Sequence, residues 1–323
     1  LSIEYKKTKL DYDYYNNNIV SIVNHYDEIF INSGVLVFYA LSDLSKKNNT
    51  SVILTGVGGD ELFGGYPWQG GHPRKIDTIF KKTYGKLKHN NMLFKISNKL
   101  GRKLSTAYQV LFDYKVWHAE CLSSFRYDFN ESKDILEKRI RDNADKYFDI
   151  SHKHIKDDIY NTMGYANTFT VLGAQNHLVD ISTMKYSVEN RSPFLDYRLY
   201  EFLMSVPDDL KSKYGQKGLL RKILKKHLPS YVTEAKKSGP TMPVNVWLYD
   251  KKINNDIKTF IFNHRKYIDE YLGLNLKLDS KWIEDSQNSL KLFAILSFII
   301  WFKFNVLNVI DDESITFEEL IKK

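Results

Sequence analysis

The residues of this chain best placed to do chemistry lie between Ser51 and Tyr66, in the string S-V-I-L-T-G-V-G-G-D-E-L-F-G-G-Y. Val52, Ile53, Leu54 and Thr55 carry the β-branched and apolar side chains of a short buried strand. Five glycines and two carboxylates follow between Gly56 and Gly65. Glycine at 56, 58 and 59 lets backbone N–H groups approach a ligand with no Cβ in the way, and Asp60 with Glu61 can open the helical turn that follows. A plainer alternative makes Asp60 a helix N-cap and Glu61 an acid favoured by the helix dipole. Three glycines before the acids and G-G-Y after them exceed what a cap requires, so the stretch is expected to be a strand feeding a binding site.

A strand with this duty needs elements on either side. Ser33 to Lys46 is expected to be a helix, with Val35, Leu36, Phe38, Tyr39, Leu41 and Leu44 on one buried face and Asn48-Asn49 at its end. A helix followed by a short buried strand is half of a parallel α/β unit. Tyr12 to Val23 is polar and tyrosine-rich with a weak helical pattern. From Pro67 to about Leu104 the chain is basic and punctuated by Gly and Pro, as a helical insertion over the site would be; Thr106 to His118 and Asp134 to Ile150 read as amphipathic helices. Asn161 to Lys185 is the next long helical region. Pro193 marks a boundary, Phe194 and Leu195 are expected in a core, and Asp196 is expected to cap a helix over Arg198 to Met204. Gln216 to His227 is a basic amphipathic helix stopped by Pro229, and Lys236 to Pro243 is a constrained loop. Leu290 to Phe304 is the most apolar run. It falls short of the ~20 residues that span a bilayer and is expected to be a buried helix closing the core.

Of 323 residues, 43% are hydrophobic and 27% charged, the balance of a soluble globular protein with a sizeable core. The single cysteine, Cys121, has no partner for an internal disulfide and suits a reducing compartment. Leu1 to Asp13 lacks the apolar run of a signal peptide, and a cytoplasmic location is the expectation. The net charge of +8 is compatible with a phosphate-bearing ligand, but the lysines are dispersed and no nucleic-acid module or membrane segment is evident. His118, His152 and His154 have no metal-ligand spacing, so no zinc or iron site is expected.

The string at 51–66 resembles the S/T-G-x-G-x-D-E-x-F-G-G-Y of the synthetase domain in the glutamine-dependent asparagine synthetase family. Two further blocks agree, in family order. Ser187 to Leu199, S-V-E-N-R-S-P-F-L-D-Y-R-L, is similar to V-E-x-R-x-P-F-L-D, preceded by Asp180 to Met184 as a D-x-x-S/T-M. Lys237 to Pro243, K-S-G-P-T-M-P, is similar to K-x-G-F-x-x-P, with Trp247 after it. The resemblance covers about Asp27 to Trp301. It implies an α/β fold: a short parallel sheet of the adenine-nucleotide α-hydrolase type at the N-terminal end (1–66), then a mostly helical part (67–323), all within one synthetase domain.

The implied activity is ATP-dependent, AMP-forming amide synthesis, with carboxylate adenylation followed by attack of ammonia or an amine. By resemblance, Thr55 and Gly56 lie beside the nucleotide, with Gly58 and Gly59 in the same turn, and Asp60 binds Mg²⁺. Lys237 would stabilise charge in both transition states, with Lys236 a competitor one residue away. Glu189 is implied on the substrate side, against the alternative of a structural pair with Arg191.

Three departures qualify the resemblance. The family's pyrophosphate loop, S-G-G-x-D-S, is absent from these 323 residues, along with the second metal carboxylate it carries; it is expected upstream of Leu1 or on a separate chain. No glutaminase cysteine is recognisable either, so the ammonia source lies elsewhere. Val57 stands where asparagine-forming members have an acid, and valine cannot accept a proton from an amine. The rival readings are therefore a peptide macrolactam cyclase of the lasso type, and a non-catalytic partner subunit that keeps the fold.

Overall fold

A computed structural model describes residues 4–30, 32–66, 164–207, 210–211, 213–236, 239, 242–272 and 278–323, with the single positions 92, 96, 142 and 146. The expected helices at 106–118 and 134–150 lie outside these, as does the insertion at 67–104 apart from positions 92 and 96. Among the described residues the chain is mostly helical around one short parallel sheet. Helix α1 (Tyr12–Tyr26) begins at Asp11, whose carboxylate accepts from the Tyr14 N–H, and buries Tyr15, Ile19, Val20, Ile22 and Val23. That i, i+4, i+7 spacing makes one apolar stripe. Helix α2 (Val35–Lys47) matches its expectation to within two residues.

Strand β1 (Val52–Leu54) pairs in parallel with β2 (Glu189–Arg191), Ile53 opposite Asn190. The expectation of a buried strand is corrected: Val52 is 38% exposed and Leu54 72%. Among the described residues β1 pairs with β2 alone, and Val52 and Leu54, which share one side of the pleat, are left partly open. Helix α3 (Gly59–Phe63) follows β1 directly. A wide π turn (Thr168–Leu172) leads into α4 (Gly173–Met184), which packs on α2 and leads to β2.

After β2 come a short 3₁₀ turn (Pro193–Leu195) and α5 (Tyr197–Ser205), capped by the Asp196 carboxylate on the Arg198 N–H as expected. Then come α6 (Gly218–Leu224), α7 (Ser230–Thr233), α8 (Val244–Trp247), α9 (Lys251–Asn263), α10 (Arg265–Leu272) and α11 (Ser280–Glu284). Helix α12 (Ser289–Asn305) and α13 (Phe317–Ile321) complete the chain.

The main core forms around α12, which is buried on nearly every side, as its apolar composition requires. Tyr15 of α1 meets Trp247, Phe293 and Phe317 with ring centroids 5.2–6.4 Å apart. The Ser297 hydroxyl donates to the Phe30 carbonyl at 3.2 Å, and the Trp301 indole to Asp27 at 2.9 Å, so the polar atoms on this helix are also satisfied. No helix among the described residues is long and apolar enough to cross a membrane.

A second, smaller cluster holds the functional segments. Leu62 and Phe63 of α3 pack with Leu203 of α5, and Phe194, Leu199, Leu219 and Leu220 close around them. The turn after β1, the chain after β2 and the start of α6 thus meet through a few apolar contacts.

Candidate nucleotide and metal site

The turn after β1 is built on its glycines. Gly58 adopts a left-handed conformation (φ 89°), and a Cβ there would meet Leu195 at 2.4 Å. Any other residue would be strained and would also displace the P-F-L segment. Gly65 is needed for a different reason: a Cβ would fall 1.6 Å from a carboxylate oxygen of Asp60 and 2.6 Å from Lys217 Cε. The turn thereby brings the Asp60 side chain up against the returning G-G-Y backbone.

Asp60 is not the N-cap of α3, which corrects the plainer reading of that residue. Gly58 holds the cap position with no side-chain hydrogen bond. The Asp60 carboxylate instead pairs with Lys217 Nζ at 3.1 Å, both side chains about three-quarters buried. Lys217 itself has a left-handed backbone (φ 51°) and donates its N–H to the Gly64 carbonyl at 3.3 Å, so both ends of this lysine are fastened to the glycine turn. Glu61 is buried (2% exposed) and accepts from the Tyr66 hydroxyl, which in turn accepts from the Gln175 amide at 3.1 Å. Burial, then the neighbouring Glu61, raise the Tyr66 phenol far above its ordinary range, so it remains a donor.

Thr55 links the two strand ends: its N–H donates to the Arg191 carbonyl at 2.9 Å and its hydroxyl lies 3.0 Å from that of Ser192. Thr55, Gly56, Val57 and Asp60 form one wall of a cleft of about 550 Å³, opposite residues of α2 and α4. Met242, in the K-S-G-P-T-M-P block, donates its N–H to the Ser33 hydroxyl at 3.2 Å, between the cleft residues Asn32 and Gly34. The third motif therefore reaches the rim of the same cleft. Lys237 lies outside the described residues, and Lys236 is exposed.

Glu189 is on β2, where Arg191 holds it with two hydrogen bonds of 2.9 and 3.3 Å. The Arg191 guanidinium lowers the Glu189 carboxyl below its usual value. Both side chains are more than half exposed, and neither is among the residues lining the cleft. The structure thus gathers Thr55, Gly56, Gly58, Gly59 and Asp60 at one place and sets Glu189 in a surface pair.

Two contributors were not apparent from sequence. Lys217 was hidden in a basic helical run, and its one local signal is the glycine that follows it at the start of α6. Gln175 carried no signal at all.

Among the described residues Asp60 is the one carboxylate lining the cleft, and Mg²⁺ keeps several waters and takes one or two carboxylates plus phosphate oxygens. Among the described residues no group of three His, Cys, Asp or Glu side chains gathers to hold a metal on its own. Asp60 is therefore the candidate protein ligand, with Lys217 as a neighbouring cation for phosphate.

The asparagine synthase family model matches residues 6–303. The chain belongs to the asparagine synthase family. It is 29% identical over 326 aligned positions to asparagine synthetase [glutamine-hydrolyzing] 1 of Bacillus subtilis (strain 168), covering 95% of this chain and 48% of that protein. It is 25% identical over 273 positions to asparagine synthetase [glutamine-hydrolyzing] 3 of the same organism, covering 80% of this chain and 39% of that protein. The chain thus spans about half the length, or less, of these curated relatives. Within the family match, the glycine turn, the P-F-L-D segment and the start of α6 are the parts the small cluster draws together.

Proposed function

We propose that this chain is the synthetase portion of an ATP-dependent, AMP-forming carbon–nitrogen ligase, with its sheet of the adenine-nucleotide α-hydrolase type. The observation that carries the reading is Asp60, held 3.1 Å from Lys217 in the wall of a cleft that begins at the carboxyl end of a parallel strand. Mg²⁺, when bound, would neutralise phosphate charge and orient the leaving pyrophosphate.

This chain's own residues supply the following part of the chemistry. The backbone of Thr55 and Gly56 lines the nucleotide, and the turn at Gly58 and Gly59, packed against Leu195 and Phe194, holds Asp60 and Lys217 Nζ beside the phosphates. Lys217 is released from Asp60 as the phosphates arrive and takes them as its counter-ions. A carboxylate oxygen of the acyl substrate attacks the α-phosphorus and pyrophosphate departs; an amine then attacks the acyl carbon, AMP departs and the amine yields a proton. Lys237, on the block tethered at Ser33, would stabilise the charge that develops in both steps. The S-G-G-x-D-S string is absent from these residues, so the reading requires pyrophosphate contacts from residues outside the 323.

ATP–pyrophosphate exchange with the full-length protein tests this. Asp60→Asn is expected to abolish the Mg²⁺-dependent exchange; undiminished exchange would remove the metal from Asp60 and take the reading with it.

A further inference from the structure

A hollow of about 860 Å³ lies at the C-terminal end of α12, between the loop that follows it and α13, and shares no lining residue with the nucleotide cleft. The loop is fastened at both ends. Val309 donates its N–H to the Lys303 carbonyl at 3.0 Å, and Glu313 accepts from the Asn24 amide and the Ser21 hydroxyl of α1 at 2.6 and 3.2 Å, so the hollow is preformed, as small-molecule sites usually are.

Lys303 brings an ammonium into this hollow from the last turn of α12. It is partly buried, stands 5.5 Å from the centroid of the Phe260 ring and makes no ion pair among the described residues. Burial, and then the charge of Lys323 in the same lining, lower the Lys303 ammonium below its ordinary range. A cation drawn from water needs a counter-charge, and an aromatic face supplies only part of one. The site calls for an anionic group.

A simple anion is nonetheless a poor match, because Asp311, Asp312 and Glu319 line the hollow too and would repel it. Two of these acids are already engaged. Asp312 Oδ1 accepts from the Ser314 N–H and hydroxyl at 2.8 and 2.6 Å, Glu319 Oε2 accepts from the Thr316 N–H and hydroxyl at 2.9 and 2.8 Å, and the Lys323 charge acts on both. Asp311 makes no hydrogen bond or ion pair among the described residues. The charges left over are therefore one cation, Lys303, and one carboxylate, Asp311. Val309, Ile310, Ile315 and Leu320 add an apolar wall, on which Val309 is 60% exposed. A negative group, a positive group and an aliphatic chain on one small molecule complement all three parts of this lining.

We infer that the hollow between α12 and α13 binds a free aliphatic α-amino acid, its carboxylate at Lys303, its ammonium at Asp311 and its side chain on Val309, Ile310 and Ile315. The inference goes beyond the ligase reading and does not depend on it.

The test is calorimetric titration of L-leucine into the full-length protein in the absence of ATP. Two analogues accompany it: isocaproate, which keeps the carboxylate and the side chain without the ammonium, and leucinamide, which lacks the carboxylate. L-Leucine is expected to bind, and each analogue to bind at least tenfold more weakly, since each forfeits a charge-assisted contact. Lys303→Met, which keeps the aliphatic stem, and Asp311→Asn, at an exposed position, are each expected to weaken L-leucine binding by about tenfold.

Absence of L-leucine binding to the parent protein, an analogue bound as tightly as L-leucine, or an affinity unmoved in either folded variant overturns the inference. Melting curves show whether the variants fold; if Lys303→Met does not, Asp311→Asn decides alone.

Discussion

The main core and the small cluster behind the glycine turn hold their elements in different ways. In the core, α12 is surrounded by aromatic rings from α1, α8 and α13, and Tyr15, Phe293 and Phe317 are at most 1% exposed. The small cluster has three buried apolar residues among those described, Leu62, Phe63 and Leu203, and the geometry there comes from short-range bonds: Asp60 to Lys217, Glu61 to Tyr66, Thr55 to Ser192. Nearby, Tyr197, Phe202 and Tyr231 are 62–78% exposed. The core fixes whether the chain folds, and the bonded turn fixes what the fold can bind, so the two should respond separately to mutation.

Substitutions that break this division are the sharpest tests of it. The largest expected effect is Phe293→Ala, which removes a buried ring and should lower stability by about 3–5 kcal/mol in thermal or denaturant unfolding, at once in core and site. Asp60→Asn comes next. It should abolish exchange, a loss on the order of 10² or more, while the melting temperature stays near that of the parent protein; a fall as large as that of Phe293→Ala would merge the two regions into one.

Lys217→Ala should reduce exchange by about tenfold to a hundredfold, as expected for a charge-assisted contact. Its effect on melting should be small, since the ion pair it breaks is partly solvated. The smallest effect belongs to Asp196, whose carboxyl is pushed down to about 2, first by the hydrogen bond from Arg198 and then by the Arg198 N–H. Because the folded value lies below the unfolded one, the cap stabilises fully above about pH 4 and is lost as pH falls toward 2. Asp196→Asn should therefore lower the melting temperature slightly at neutral pH and leave it unchanged near pH 2; an equal difference at both values would show that charge plays no part there.

Much of the site could be read from residues adjacent in the chain. The turn from Thr55 to Asp60 was legible because glycine geometry and the acid that follows are local facts. Helices α2 and α12 were legible from periodicity and apolarity. What was not legible depends on contacts across long separations. Lys217 meets Asp60 across 157 positions, and an αL lysine beside a glycine looks the same in sequence as any surface lysine. Gln175 gains its meaning only from Tyr66, more than a hundred residues away. The exposure of Leu54 is not legible in the sequence, because composition reports a strand's preference for burial while its actual cover is decided by the neighbours it finds. Helix α1 was underrated for a related reason. Its tyrosines and asparagines dilute the apolar signal, although Tyr15 lies at the centre of the core.

The π turn at Thr168–Leu172 carries a consequence for how this region can vary. At 3.6 residues per turn, buried Asn167 and Leu172 would point about 140° apart, and the widened turn swings them toward a common side. Deleting one residue there would restore an ordinary spiral with four steps of about 100° in place of five narrower ones, so the chain just upstream would keep nearly the same facing relative to α4. Thr168, whose hydroxyl lies 3.0 Å from that of Tyr200, would then still face α5. The wide turn thus absorbs one residue of length, and relatives that lack a single residue between 164 and 172 should present the same facing on an unchanged α4.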